Sequence, residues 1–229
     1  MQIKRSVAPR FWPIERKTKK YAMAPEPGPH AKEKCLPLGI ALRDMLHYAR
    51  TSKEAQALLN KGLVKVDGRA RKSNNFPVGI MDVLTVGEEN YRILPNRSGF
   101  YLQGIDDSEA RIKPEKIVSK TVIKKGKIQL NLFDGRNVLA DKGEYATGDT
   151  AVLDTQKNAV VQLLKMRKGA IVLVIGGKNV GKIGSIEDIA AVKMQAAQVT
   201  IDAGGEKIFV PKDYVFVVGE KEPVIKIGE

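Results

Sequence analysis

From about Ile93 to the end of the chain, apolar residues come in short runs of β character cut by turn residues, and this punctuation constrains the fold most. The central runs are 117–123, 128–133, 152–153 and 160–164, separated by turn signals at Gly126, Asp134-Gly135, Lys142-Gly143, Gly148-Asp149 and Lys157-Asn158. That spacing predicts a small barrel or sandwich over 95–168. A third, compact β unit is expected over 169–229, with strands at 170–175, 198–201, 207–210 and 214–218.

Helical periodicity is confined to a short stretch before this. Leu38, Leu42, Met45 and Ala49 recur at helical spacing, with Arg43, Asp44 and His47 between them. A second helix opens with a capping box, Thr51 to Glu54, carries Ala55, Leu58 and Leu59 on its apolar stripe, and ends at Gly62. Strands at 63–66 and 81–86 flank the Asp67-Gly68 turn and the basic residues after it. The fold class read from these patterns is α+β and multidomain: two helices with short strands, a mostly-β central domain, and a C-terminal small β unit.

Composition narrows the partners. The 229 residues include 39 Lys plus Arg against 26 Asp plus Glu, a formal net charge of +13, with 43% hydrophobic and 28% charged residues. Such a chain buries a core over most of its length, and its charge surplus calls for a polyanion. The surplus is uneven: segments 1–36, 37–94, 95–168 and 169–229 carry net charges of +6, +3, +5 and −1. Segment 1–36 therefore reads as a basic arm closed by the stiff stretch 25–29. It mixes Lys and Arg with Phe11, Trp12 and Tyr21, and its prolines predict that it orders on contact with RNA.

Several chemistries are disfavoured. One cysteine, Cys35, forms no internal disulfide, and two histidines, His30 and His47, are too few for a closed zinc site. No apolar run in the first twenty residues has the length of a secretory core, and the longest run, 170–175, is far short of a roughly 20-residue membrane span. A soluble, cytoplasmic protein in a reducing compartment is expected, with no cofactor, no metal and no small-molecule substrate. The stretch 176–183, GGKNVGKI, matches a phosphate loop except at its last position, where Ile183 replaces the magnesium-binding hydroxyl. It reads instead as a glycine-rich hairpin presenting Lys178, Asn179 and Lys182. Asp134-Gly135-Arg136 lacks the aspartate that a pseudouridine synthase motif requires and reads as a hairpin turn.

The motifs together resemble a known family. Residues 4–17 carry KR-x-x-AP-x-x-W-P-I-x-RK, followed by PGPH at 27–30, LPL at 36–38, VDGR at 66–69 and FPVGIMDV at 76–83. Residues 169–186 resemble a KOW motif, and DYVFVVG occupies 213–219. In this order they resemble the archaeal and eukaryotic small-subunit ribosomal protein family S4e, in its archaeal form. The resemblance implies an S4-like RNA-binding module, a central β domain and a KOW-type β-barrel. It implies a non-enzymatic role in binding small-subunit ribosomal RNA beside neighbouring ribosomal proteins, with no membrane and no obligate homo-oligomer. The alternatives weighed are an RNA-modifying enzyme that uses an S4-like targeting domain, and a transcription-associated KOW protein.

Expected RNA contacts are Lys4, Arg5, Arg10, Trp12, Arg16, Lys17, Lys19, Lys20, His30, Lys32 and Lys34 from the arm. Arg43, Lys53, Arg69, Arg71 and Lys72 follow from the helix pair and turn, and Lys178, Asn179 and Lys182 from the glycine-rich loop.

Overall fold

The computed structural model describes residues 2–123, 127–140, 143–157, 159–190 and 197–228. They form two compact units, Met1–Leu94 with Ser98–Arg111, and Pro95–Arg97 with Ile112–Glu229. The expected turns at Gly126, Lys142 and Asn158 lie outside the described residues.

In the first unit the arm is folded against protein. Strand β1 (Gln2–Lys4) pairs antiparallel with β2 (Tyr21–Met23), and Arg5, 8% exposed, ties the loop between them. Its guanidinium donates to the carbonyls of Tyr21 and Glu15 and to Thr18 Oγ1. Arg16 donates to the carbonyls of Arg5, Ala8 and Pro9 at 3.3, 2.9 and 2.7 Å, satisfying main-chain groups that the prolines keep out of regular structure. Trp12 is 3% exposed and packs in the same core as Leu36, Leu38 and Leu59, its indole N–H donating to the Cys35 carbonyl at 2.9 Å. In this structure the arm packs on the protein's own core, without an RNA surface beneath it. Ala8 and Trp12 belong to the core cluster and Ile3, Phe11 and Ile14 pack against it, burial that works against the arm's loss of chain entropy.

β3 (Cys35–Pro37) leads into α1 (Leu38–Ile40), which widens into a π-helical turn at Ala41–Met45. The helix stops there, before the expected Ala49. His47 takes a left-handed φ of 58°, and the Tyr48 N–H reaches back to Leu42 O. Ala49 is buried at 3%, so its apolar character was legible while its helical placement was not. α2 (Ser52–Asn60) has the expected cap: the Glu54 N–H donates to Thr51 Oγ1 at 3.2 Å, and Gly62 adopts φ 74° after it. The Glu54 carboxylate reaches one residue further back than the usual box, accepting from the Arg50 N–H at 2.8 Å. This bond holds its carboxyl below the ordinary range.

Strand β4 (Val64–Val66) turns at Asp67-Gly68 into β5 (Arg69–Ala70); β6 (Pro77–Gly79) pairs with β3. β7 (Val83–Val86), β8 (Glu89–Asn96) and β9 (Gly99–Ile105) complete a five-stranded sheet in the order β5-β4-β7-β8-β9. The β8–β9 hairpin has no counterpart in the sequence reading, because its strands carry Asn90, Arg92, Asn96 and Gln103 among the apolar residues and blur the alternation. A Cβ at Gly99, at φ 144°, would come within 2.3 Å of the Phe11 carbonyl oxygen. A side chain there would push the arm off this sheet. α3 (Asp107–Ala110) closes the unit.

The second unit holds two five-stranded antiparallel sheets. The first runs β12-β11-β10-β13-β14: β10 (Ile112–Val122), β11 (Ile128–Leu132), β12 (Asn137–Ala140), β13 (Thr150–Asp154) and β14 (Ala159–Leu164). The second runs β18-β17-β16-β15-β19: β15 (Ile171–Val174), β16 (Ile183–Ala190), β17 (Gln198–Ala203), β18 (Glu206–Pro211) and β19 (Val215–Gly219). Val152 and Leu164 of the first sheet pack with Val172, Ile201 and Val217 of the second. The Asp134-Gly135 hairpin turn expected from the sequence forms, with Gly135 at φ 79°. Asp134 also does something the sequence did not announce: with Glu115 it flanks the fully buried ammonium of Lys113, at 3.2 and 2.8 Å. A cation at 0% exposure persists only when paired in this way.

Candidate nucleic-acid interface

In the first unit, the arm and the two helix ends enclose an open groove of about 980 Å³. Arg5, Glu15, Thr18 and Lys19 come from the arm; Arg43, Asp44 and His47 come from the end of the first helix; Arg50, Thr51 and Ser52 come from the cap of α2. The local structure explains the convergence. The π turn and the left-handed His47 reverse the chain so that the end of one helix abuts the start of the next.

Inside the groove Arg43 is held in place by its neighbour, its Nε and Nη2 donating to Asp44 Oδ1 and Oδ2 at 3.0 and 2.6 Å, with Nη1 reaching Ser52 Oγ at 3.2 Å. His47 Nδ1 lies 3.1 Å from Arg43 O, and because a carbonyl only accepts, Nδ1 carries the proton and Nε2 is the neutral ring's acceptor. Arg50 and Lys19 are exposed. Four cationic side chains face two carboxylates, and the positive end of α2 adds to the surplus. Such an arrangement presents positive charge and hydrogen-bond donors of the kind that suit a phosphate chain.

Apart from Trp12, His30 and Arg16, whose guanidinium is spent on arm carbonyls, the expected contacts separate into three groups. Arg5, Lys19 and Arg43 meet in the groove, although Arg5 is occupied with arm carbonyls. Lys4, Arg10, Lys17, Lys20, Lys32, Lys34, Lys53, Arg69 and Lys72 are exposed outside its lining; Arg71 is half-buried with its guanidinium 4.2 Å from the Phe76 ring centre. Lys178, Asn179 and Lys182 belong to the second unit, where Lys182 pairs with Glu206.

Two expectations are corrected. Trp12 is buried in the core, as its 3% exposure shows, and has no face to offer RNA. His30, 6% exposed, directs Nε2 at Asp82 Oδ2 rather than at solvent. His47, Arg50, Thr51 and Ser52 were missed as groove residues; an arginine directly before a helix cap was the signal available for Arg50.

Among the described residues, no set of three or more His, Cys, Asp or Glu side chains is placed to hold a metal, and no helix is long and apolar enough to cross a membrane.

Comparison with known proteins gives consistent matches along the chain. Residues 2–33 match the RS4NT domain, 44–84 the S4 domain, and 87–160 the ribosomal family S4e. The chain is 41% identical over 99% of its length to the small ribosomal subunit protein eS4 of Staphylothermus marinus, covering 95% of that protein. It is 42% identical to the eS4 protein of Methanothermobacter thermautotrophicus, over 98% of this chain and 95% of that protein. A crystal structure of the 30S ribosomal protein S4e from Thermoplasma acidophilum superimposes with a TM-score of 0.70 at 28% identity, covering 82% of this chain and 95% of that one. The S4 match begins at residue 44, within the groove-lining segment that runs from Arg43 to Ser52.

Proposed function

Since the chain belongs to the ribosomal protein S4e family, we propose that it is a structural constituent of the small ribosomal subunit that binds and stabilises small-subunit ribosomal RNA and catalyses no reaction. The observation that carries this reading is the cationic groove between arm and helix ends, whose wall from Asp44 to Ser52 is the start of the S4-domain match and whose arm wall lies in the RS4NT match. Lys19, Arg43 and Arg50 neutralise phosphates there, His47 adds a hydrogen bond, and Arg5 and Arg16 keep the arm in the shape that forms one wall.

In this reading 1–36 is a basic arm that is already folded, 37–94 is the S4-like RNA-binding domain, 95–168 a central β domain, and 169–229 a KOW-type barrel with a terminal strand. The exposed Lys4, Arg10, Lys17, Lys20, Lys32, Lys34, Lys53, Arg69, Lys72 and Lys178 extend the contact beyond the groove, and neighbouring small-subunit proteins share the surface. The protein works in the cytoplasm, within the subunit, and is not an obligate homo-oligomer.

Sedimentation tests the reading. In a sucrose gradient of native extract the protein travels with the small subunit; a protein found only at the top of the gradient would refute the ribosomal role. Purified chain should also bind deproteinised small-subunit ribosomal RNA with an affinity that drops by roughly a thousandfold between low and moderate salt, as contact with six to ten phosphates requires.

A further inference from the structure

In the second unit, Tyr214 lies at the end of the single 3-10 turn Lys212–Tyr214 that joins β18 to β19. Its ring rests on the glycine-rich loop: a Cβ at Gly176 would come 2.7 Å from the ring's Cδ1 and 3.1 Å from Cγ and Cε1. A Cβ at Gly177 would sit 3.5 and 3.6 Å from Cδ2 and Cε2. One face of the phenol therefore covers bare backbone across two consecutive glycines, an approach that any side chain at Gly176 would block. Yet Tyr214 remains 43% exposed. What sets this ring apart is the pairing of that exposure with a close seat on glycine backbone.

The turn carrying this ring is pinned from below. Lys116, 6% exposed, donates from one ammonium to the carbonyls of Lys212, Asp213 and Val215 at 2.9, 3.0 and 2.9 Å. The Tyr214 carbonyl itself accepts from the Ile175 N–H at 2.8 Å. Burying a lysine to fix a three-residue turn is a costly arrangement in a small sheet, and what it holds still is a partly exposed aromatic ring over the loop whose next residue is the exposed Lys178.

We propose that Tyr214 is a stacking platform for one unpaired RNA base, whose flanking phosphate meets Lys178. The inference rests on the RNA-binding role proposed above and names a second contact, separate from the groove. A flat ring braced on one side and open on the other is the geometry that single-stranded RNA uses, because every base has a π-face and stacking does not depend on sequence. The glycine-rich loop then serves as the bed of the ring rather than as a phosphate cradle, and β16 following it as a strand agrees with that use.

The test uses the full chain and deproteinised small-subunit ribosomal RNA. Tyr214→Leu, which still covers the glycines but has no π-face, should bind about tenfold more weakly with an unchanged salt slope, whereas Tyr214→Phe should bind as the parent does. Leucine binding as tightly as tyrosine, or phenylalanine as weakly as leucine, would overturn the platform. If Tyr214→Leu does not fold, ultraviolet crosslinking of the unaltered chain decides: a nucleotide adduct on Tyr214 supports the platform, and adducts confined to other residues overturn it. Failure of the unaltered chain to bind the RNA at all would instead remove the functional reading on which the platform rests.

Discussion

His30 Nε2 and Asp82 Oδ2 are 2.9 Å apart, and both side chains are almost completely buried. The same carboxylate oxygen accepts from the Gly79 N–H at 2.9 Å, and a Cβ on Gly79 would strike the imidazole at 2.6 Å. Histidine, aspartate and glycine are thus one fitted unit joining the end of the arm to β6 and the turn that follows it. Asp82→Ala should destabilise the chain by about 3 kcal/mol, because the His30 ring keeps its burial and loses this carboxylate. Gly79→Ala should destabilise it through the clash alone. Urea unfolding of both variants checks the pair; a His30 that can be replaced by alanine with no change in midpoint would contradict it.

Trp12 makes the arm part of the core, so Trp12→Ala should cost about 3–5 kcal/mol even with no RNA present. Amide exchange in the free chain offers the direct view: residues of β1 and β2 should be protected. An arm that exchanges freely until RNA is added would show that the packing described here forms only on binding.

Groove residues should act on salt dependence. Arg50→Ala and Lys19→Ala should each lower the slope of log affinity against log salt by about one, while leaving thermal stability nearly unchanged, since both are exposed. Glu33→Ala on the arm, outside the groove lining, serves as the control that should not reduce the slope.

Lys116→Met keeps most of the buried volume and deletes three bonds to carbonyls, of which Lys212 O retains the Val215 N–H as a donor. A loss of about 3 kcal/mol is expected, with amide exchange rising first around Tyr214 and Val215. Uniform loss of protection across the second unit would count against a local role for the ammonium.

Burial, with the charge of Asp82 adding to it, pushes the Cys35 thiol up from its ordinary 9.0 to about 12. The folded chain then keeps a proton that the unfolded chain gives up. The associated stability is complete below pH 9 and is lost as pH rises from 9 toward 12, at up to about 1.4 kcal/mol per pH unit. Comparing the chain with Cys35→Ala at pH 8 and pH 10.5 isolates this limb from the other titrating groups: the difference between them should shrink at the higher pH. At pH 8 the native thiol should resist iodoacetamide, since thiolate is the reactive form.

How much of this was open to reading varies with the range of the interaction concerned. The α2 cap, the Gly62 stop, the Asp67-Gly68 and Asp134-Gly135 turns, and the strands around Ile128–Leu132 and Ile171–Val174 are local matters. Each follows from a few neighbouring side chains and backbone angles, so the order of residues was sufficient. The refusal of 176–183 to be a phosphate loop was local too, since Ile183 begins a strand.

The groove is another matter. Lys19, Arg43 and Arg50 meet because the first helix widens at Ala41–Met45 and His47 turns left-handed, an outcome of packing that the periodicity through Ala49 concealed. Trp12 and His30 looked like surface groups on a polar, proline-broken arm, but partners 23 and 52 residues away drew them inside. Sequence by itself determined the family, the charge surplus and most of the regular elements, because those depend on composition and near neighbours. Only the tertiary structure decided which cations are spent on the protein's own carbonyls and carboxylates and which face outward, since that choice is made by desolvation and by contacts between residues far apart in the chain.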